Sequence, residues 1–223
     1  MNKTWLEWIG IWGSGKSTVI QKLKREIDNE MVCKTTVDFF KLNKYKRLFF
    51  SLINVFKTPI YSYKLFKILV PKYFKGLFLR DKILVSELRS FWYCYSARLF
   101  LTFQGGYKLS LWEGEFHLIP FLDLNFKQKE VIVNLLLNLT CAESIKFIVL
   151  VTSINNAIKR IEIDQTSGRN VRFTNCQYNY FKKYIVRSLR HQDELISILE
   201  RRGEKIYKIE NPSEISFEQI CKN

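Results

Sequence analysis

The chain is expected to fold as an α/β protein, with a five-stranded parallel sheet flanked by helices and a helical, basic insertion between strands two and three. Three observations predict this. Gly10 to Thr18 read GIWGSGKST, a complete G-x-x-x-x-G-K-[ST] phosphate-binding loop, set directly after the short apolar run Thr4 to Ile9. Apolar runs of strand length then alternate with helical stretches along the chain, the pattern of parallel strands joined by crossover helices. Finally, Ser144 to Val151 contains the core IKFIVLV, the clearest strand buried on both faces.

The elements follow in order. Strand one, Thr4 to Ile9, leads through the loop into a helix from about Ser17 to Asn29, and Met31 to Val37 is β-branched enough for strand two. Phe39 to about Phe103 reads mostly helical, interrupted at Pro59, Pro71 and Gly76, with Gly105-Gly106 closing it. Lys108 to Trp112 is strand three. The run Leu122 to Leu139, after Pro120, reads as a helix and strand four follows. A helix over Ile154 to Ile163 gives way to a polar stretch beginning at Asp164, and a long helix runs from about Asn175 to Arg202, with Gly203 as its C-terminal cap. Lys205 to Ile209 is strand five, and Ser216-Phe217-Glu218-Gln219 has capping-box spacing for a last short helix.

Composition narrows what this frame can do. With 223 residues and 47% hydrophobic content, residues 1–223 can bury a core as a single domain. The five cysteines contain no C-x-x-C pair, and only His117 and His191 could join them in a metal site. No zinc, no disulfide framework and a reducing cytoplasm are therefore expected. The first apolar stretch is too short for a signal peptide, contains Glu7 and runs into the phosphate loop.

The net charge is +15, and ten of those positive charges lie between Phe39 and Arg80, a stretch without one acidic residue and with twelve aromatics. Its longest uncharged run, Leu48 to Phe56, is far shorter than the roughly 20 residues a spanning helix needs. The expected role of Leu48, Phe49, Leu52, Ile53, Leu65, Phe66, Leu69, Phe74 and Phe78 is to pack helices over the site while the lysines face water. Residues 39–107 would then form a substrate-covering segment. The alternative is a platform, within 39–80, for nucleic acid or an anionic membrane surface.

The loop carries the most specific chemistry. Gly10, Gly13 and Gly15 permit turns that aim successive N–H groups at a polyphosphate, assisted by Ser14, and the helix N-terminus adds positive potential. Lys16 can reach the β- and γ-phosphates, the Ser17 hydroxyl can ligate Mg²⁺, and Thr18 begins the helix proper. ATP or another NTP, with Mg²⁺, is the expected cofactor.

Ligands of a parallel sheet bind at the carboxyl ends of its strands. Strand two delivers Asp38, and strand three delivers Glu113-Gly114-Glu115. A carboxylate there can hold Mg²⁺ through water or take a proton from an attacking hydroxyl, with Glu113 the better candidate. After strand four come Arg160 on a helix and Arg169 in residues 164–174, a candidate lid able to neutralise transition-state charge.

Together, the loop, Asp38, Glu113 and the stretch VTSINNAIKRIEIDQTSGRN resemble the deoxynucleoside kinase and thymidylate kinase group of P-loop kinases. The resemblance implies a P-loop NTPase fold and ATP-dependent transfer of a phosphoryl group to a small acceptor, a nucleoside or nucleotide first. It also implies Asp38 near the acceptor hydroxyl, Glu113 as the strand-three acid, Arg160 as the helix arginine and Gly168-Arg169-Asn170 as the lid. The group's usual Glu-Arg-Ser or Asp-Arg-Tyr after strand three is replaced here by Glu113-Gly114-Glu115. Two other outcomes are a nucleotide-driven switch or ATPase, and a P-loop protein that works on nucleic acid or a membrane surface.

Overall fold

The computed structural model describes residues 4–11, 13–26, 33–35, 44–104, 109–112, 114–140, 144–166 and 178–210. Among these, the strands β1 (Thr4–Ile9), β2 (Cys33–Thr35), β3 (Leu109–Trp112), β4 (Ser144–Leu150) and β5 (Lys205–Ile209) form one sheet in the order β2-β3-β1-β4-β5. Every pairing is parallel. The helices are α1 (Lys16–Glu26), α2 (Lys44–Lys57), α3 (Pro59–Phe78), α4 (Lys82–Gln104), α5 (Glu115–Leu118), α6 (Phe126–Leu139), α7 (Ile154–Thr166) and α8 (Tyr178–Arg201). A 3₁₀ turn over Ile119–Phe121 follows α5.

β1 lies at the centre of the sheet and is covered on both sides. Its alternation sends Leu6 and Trp8 to the face shared with Val19 and Leu23 of α1, while Ile9 joins the core built by α3, α4, α6 and α8. β4 divides in the same way, with Ile148 and Leu150 toward α1 and Phe147 and Val149 toward the other layer. Two-sided burial explains why these strands read as near-continuous apolar runs.

The helix ends have local causes. Asn125 accepts from the Gln128 backbone while the Gln128 side chain accepts from the Asn125 N–H, a capping box that starts α6 later than the apolar run suggested. The residues before it form the 3₁₀ turn and a left-handed Asp123. Gly203, at φ 74°, ends α8: its N–H donates to Glu200 O and that of Glu204 to Leu199 O, the Schellman pattern.

The expected breaks at Pro71 and Gly76 do not occur, because both lie inside the continuous helix α3. Pro71 and Lys67 are exposed, so water can satisfy the carbonyl that the proline leaves without its helical donor. Gly76 faces inward, where an added Cβ would meet Val85 Cγ2 at 3.0 Å; it lets α3 and α4 approach closely. The chain turns at Leu79 to Asp81 instead, with Asp81 Oδ1 accepting the Leu84 N–H as the cap of α4.

Two further expectations change. α7 continues through Thr166, since nothing before Gly168 breaks it, so the first residues of the candidate lid are helical. The remainder of that lid, residues 167–174, and the C-terminal capping-box helix lie outside the described residues. The apolar side chains of the basic segment also divide: Leu65 and Leu69 are buried, but Phe49, Leu52, Phe66, Phe74 and Phe78 are exposed. α3 buries the edge that carries Leu65 and Leu69 against α4, and the part-exposed Phe66 still meets Trp92 of α4, ring centroids 4.6 Å apart.

Candidate active site

The phosphate loop joins the end of β1 to α1. Gly13 and Gly15 stand at φ 74° and 92°, conformations that side chains rarely adopt. A Cβ on Gly13 would lie 2.4 Å from the carbonyl oxygen of Ala157, so this glycine also lets α7 pack against the loop. Gly10 is tight as well, with Ser14 Oγ 2.7 Å from where its Cβ would be. The turn is closed by Ser14 N–H donating to Ile11 O at 3.2 Å and Val19 N–H to Gly15 O at 3.1 Å.

Lys16 is almost wholly buried, and its ammonium is held by the loop itself. Nζ donates to Gly10 O at 2.8 Å, Ile11 O at 3.0 Å and Ser14 Oγ at 3.3 Å. These oxygens keep the cation at the loop, from which a phosphate oxygen can draw it. Ser17 and Thr18, in the first turn of α1, are exposed. A hard oxygen donor at that place fits Mg²⁺, which binds few protein ligands and takes the rest from phosphates and water. No cluster of three or more His, Cys, Asp or Glu that could hold a metal by itself occurs among the described residues.

Arg160 braces the loop from α7. Its Nη1 donates to Ser14 O at 3.1 Å and Gly13 O at 3.3 Å, and Ala157, Ile158 and Ile161 of the same helix pack with Ile11. Among the expected catalytic residues, the structure therefore brings together Lys16 and Arg160, with Ser17, the expected Mg²⁺ ligand, next to Lys16 in the first turn of α1. Asp38, Glu113 and Arg169 lie outside the described residues.

The structure adds two features that the sequence reading missed. His117 of α5, also nearly buried, places Nδ1 2.7 Å from Gly10 O, the carbonyl that also receives Lys16. Its ring meets Phe121 edge-on, and Phe121 stacks on Tyr184 of α8, whose hydroxyl donates to Phe121 O at 2.8 Å. The loop is thus tied to α5 and, through it, to α8.

Behind α5 lies a fully buried charge cluster. Arg98 of α4 donates through Nη2 to Glu7 Oε2 at 2.6 Å, through Nε and Nη2 to the Glu115 carboxylate at 3.0 Å each, and through Nη1 to Thr140 Oγ1 at 2.7 Å. Its guanidinium also stacks near Trp5 and Phe116. Burial opposes the charge on Arg98, but Glu115 and Glu7 outweigh it and hold the group above its ordinary value. Burial raises the Glu7 carboxyl to about 8 despite Arg98, and Glu7 Oε1 has no hydrogen-bond partner among the described residues. One guanidinium between two carboxylates is best balanced when Glu7 holds a proton.

Glu115, weighed as a site carboxylate from sequence, is committed to Arg98 instead. A charged residue in the apolar strand TWLEWI and an arginine inside the apolar helix stretch FWYCYSARLF were the available signals, because a buried charge requires a partner.

A second polar group lies farther out, where Lys129 of α6 contacts both His191 and Glu194 of α8. Burial and the Lys129 charge push His191 down to about 4. It ties the two helices together.

The solved structure of deoxyadenosine kinase from M. mycoides with bound dATP aligns over 98% of this chain and 95% of its own, at 12% identity and a TM-score of 0.45. No curated protein is matched by the sequence. The family model described as KAP family P-loop domain matches residues 9–212, running from the end of β1 past β5. The strand–loop–helix at Gly10, the parallel sheet around it and this match across most of the chain agree, and the chain belongs to the KAP family of P-loop NTPase domains.

Proposed function

We propose that this chain is a Mg²⁺-dependent phosphotransferase that binds ATP, or another NTP, in the loop and passes the γ-phosphoryl group to a small hydroxyl- or phosphate-bearing acceptor, a nucleoside or nucleotide first. The observation that carries the reading is the loop itself, with Lys16 poised at its mouth and Arg160 fixing its carbonyls from behind. In this reading Lys16 exchanges its loop oxygens for β- and γ-phosphate oxygens, while the backbone N–H groups before α1 hold the polyphosphate. Mg²⁺, ligated by Ser17, would neutralise charge on the β- and γ-oxygens. Arg160 keeps the loop rigid, so that its donors need no reorganisation as the β–γ bond breaks.

The sheet order supports an acceptor on one side of the loop. β3 adjoins β1 and β2 adjoins β3, so the strand ends that lead toward Glu113 and Asp38 lie on the same side of β1, away from β4. An acceptor hydroxyl placed there would have a carboxylate to take its proton. Arg169 would supply the lid's positive charge to the transferring phosphoryl group.

A second reading, an ATPase whose acceptor is water, is favoured by the family match, since it describes an NTPase domain. Mg²⁺-dependent ADP formation, measured across nucleosides, nucleoside monophosphates, sugar nucleotides and short oligonucleotides, separates the two. The Lys16→Ala protein serves as blank. Stimulation by one acceptor class with a phosphorylated product supports the kinase, whereas phosphate release unaffected by every acceptor supports the ATPase. Equal turnover by the blank would refute both.

A further inference from the structure

Between the start of α6 and the middle of α8 lies a surface pocket of about 900 Å³, and no phosphate-loop residue is among its described lining. That volume is in the range of small-molecule sites. Leu124, Phe126 and Val186 give it apolar walls, while Arg187, Arg190 and His191 line it with nitrogen donors. Phe126 and Val186 are 38% and 46% exposed, so both can meet a ligand.

The hydrogen bonding here leaves donors facing donors. Lys129 contacts both Nδ1 of His191 and Oε2 of Glu194, and an ammonium can only donate. Burial and the charges of Lys129, Arg187 and Arg190 hold His191 at about 4, so its ring is neutral around pH 7. With Nδ1 accepting, that ring carries its proton on Nε2. Arg187 Nε stands 3.5 Å from the same Nε2. Two N–H groups therefore meet without an acceptor between them, and an oxygen beside them would take a hydrogen bond from each.

The charge around the pocket also favours an anion. In their ion pairs among the described residues, Lys75, Lys129, Arg187 and Arg190 share two carboxylates, Asp123 and Glu194. Both oxygens of Asp123 are taken, by Lys75 and Arg187, and Glu194 Oε2 by Lys129. Arg190, its side chain 87% exposed, comes only within 3.9 Å of Glu194 Oε1, beyond hydrogen-bond reach. Arg201 lies over the Phe126 ring at 4.6 Å from its centroid and brings a further cation to the wall.

We infer that this pocket binds a small phosphate monoester, its phosphate oxygens accepting from Arg187, Arg190 and His191 while its organic group lies against Phe126, Val186 and Leu124. A phosphate fits better than a carboxylate because it offers three terminal oxygens to three donor side chains. Binding here is independent of any transfer reaction at the phosphate loop.

Titration calorimetry of phenyl phosphate into the full-chain Lys16→Ala protein, with phenol as the uncharged control, tests the site while the loop is weakened. Saturable binding of phenyl phosphate and none of phenol is expected. Adding Arg187→Ala or Arg190→Ala should weaken it at least about tenfold, as for loss of a hydrogen bond to a charged group, with partial recovery in Arg190→Lys. With Lys16 intact, Arg190→Ala should leave the binding of ATP unchanged. Failure of phenyl phosphate to bind, equal binding of phenol, or binding unmoved by both arginine substitutions overturns the assignment. So does a matching loss of ATP binding in Arg190→Ala, which would mark damage to the fold or binding at the loop instead.

Discussion

Replacing Arg98 with alanine should be among the most damaging single changes in the described structure. Among the described residues, the substitution leaves Glu115 with neither of its two guanidinium bonds and Glu7 with only Trp5 Nε1, at 3.1 Å, as donor. Removing one partner of a buried ion pair costs about 3–5 kcal/mol, because the other charge remains in a medium that cannot solvate it. Proton uptake by Glu7 relieves one carboxylate but not both. Loss of the stacking on Trp5 and Phe116 adds to the cost. Against a total stability of about 5–15 kcal/mol, a loss of that size brings the protein near its unfolding threshold. Urea unfolding followed by tryptophan fluorescence measures it.

The reasoning also predicts a rescue. Arg98→Met combined with Glu7→Gln and Glu115→Leu removes every charge together, keeps an acceptor for Trp5, and should recover most of the loss. Thr140 tolerates this, since its hydroxyl also donates to Leu136 O at 2.9 Å. A loss below about 1 kcal/mol in Arg98→Ala, the range of an exposed ion pair, would refute the account of the cluster. A triple variant as unstable as the single one would do the same.

Three other outcomes follow from the site. Gly13→Ala would place a Cβ 2.4 Å from Ala157 O at φ 74°, so thermal unfolding should show a loss of at least about 1–3 kcal/mol, and nucleotide binding should fail with it. His117→Ala removes the Gly10 contact and should weaken ATP binding about three- to tenfold by titration calorimetry, with partial recovery in His117→Gln. Glu7 has a folded-state pKa of about 8, above its unfolded value, so it contributes stability that is lost as pH rises toward and through 8. His191 works oppositely: with its pKa depressed to about 4, stability falls as pH drops from about 6.5 toward 4. Unfolding curves between about pH 6.5 and 8 thus isolate Glu7, and Glu7→Gln should flatten that interval.

How far the sequence reaches can be judged residue by residue. The loop was legible because its mechanism depends on backbone shape, which glycines at fixed spacing impose wherever a strand precedes and a helix follows. β4 was legible from its apolar run, and Gly203 from its place past a long amphipathic helix. Pro71 misled because a proline on the solvent side of a helix leaves a carbonyl that water can satisfy. Gly76 misled because its role is tertiary: it makes room for Val85, a contact no local pattern announces. The Glu7–Arg98–Glu115 cluster joins residues 91 and 17 positions apart, so each charge could be flagged as needing a partner, but not matched to one. Arg160 was picked out as a site residue, yet that it would grip loop carbonyls depends on how α7 crosses Gly13. The outward stripe of α3 has the same periodicity as a core stripe. Only the position of α4 decides which edge is buried.

The central claim is that the loop at Gly10 to Thr18 holds a nucleoside triphosphate through Lys16. Equilibrium titration of a fluorescent ATP analogue into the wild-type protein and into Lys16→Ala, each with and without Mg²⁺, tests it most directly. Saturable binding that Mg²⁺ strengthens, weakened at least about tenfold in Lys16→Ala as expected for loss of charge-assisted phosphate bonds, is the predicted result. Binding of equal strength to both proteins, or none to the folded wild type, would contradict it.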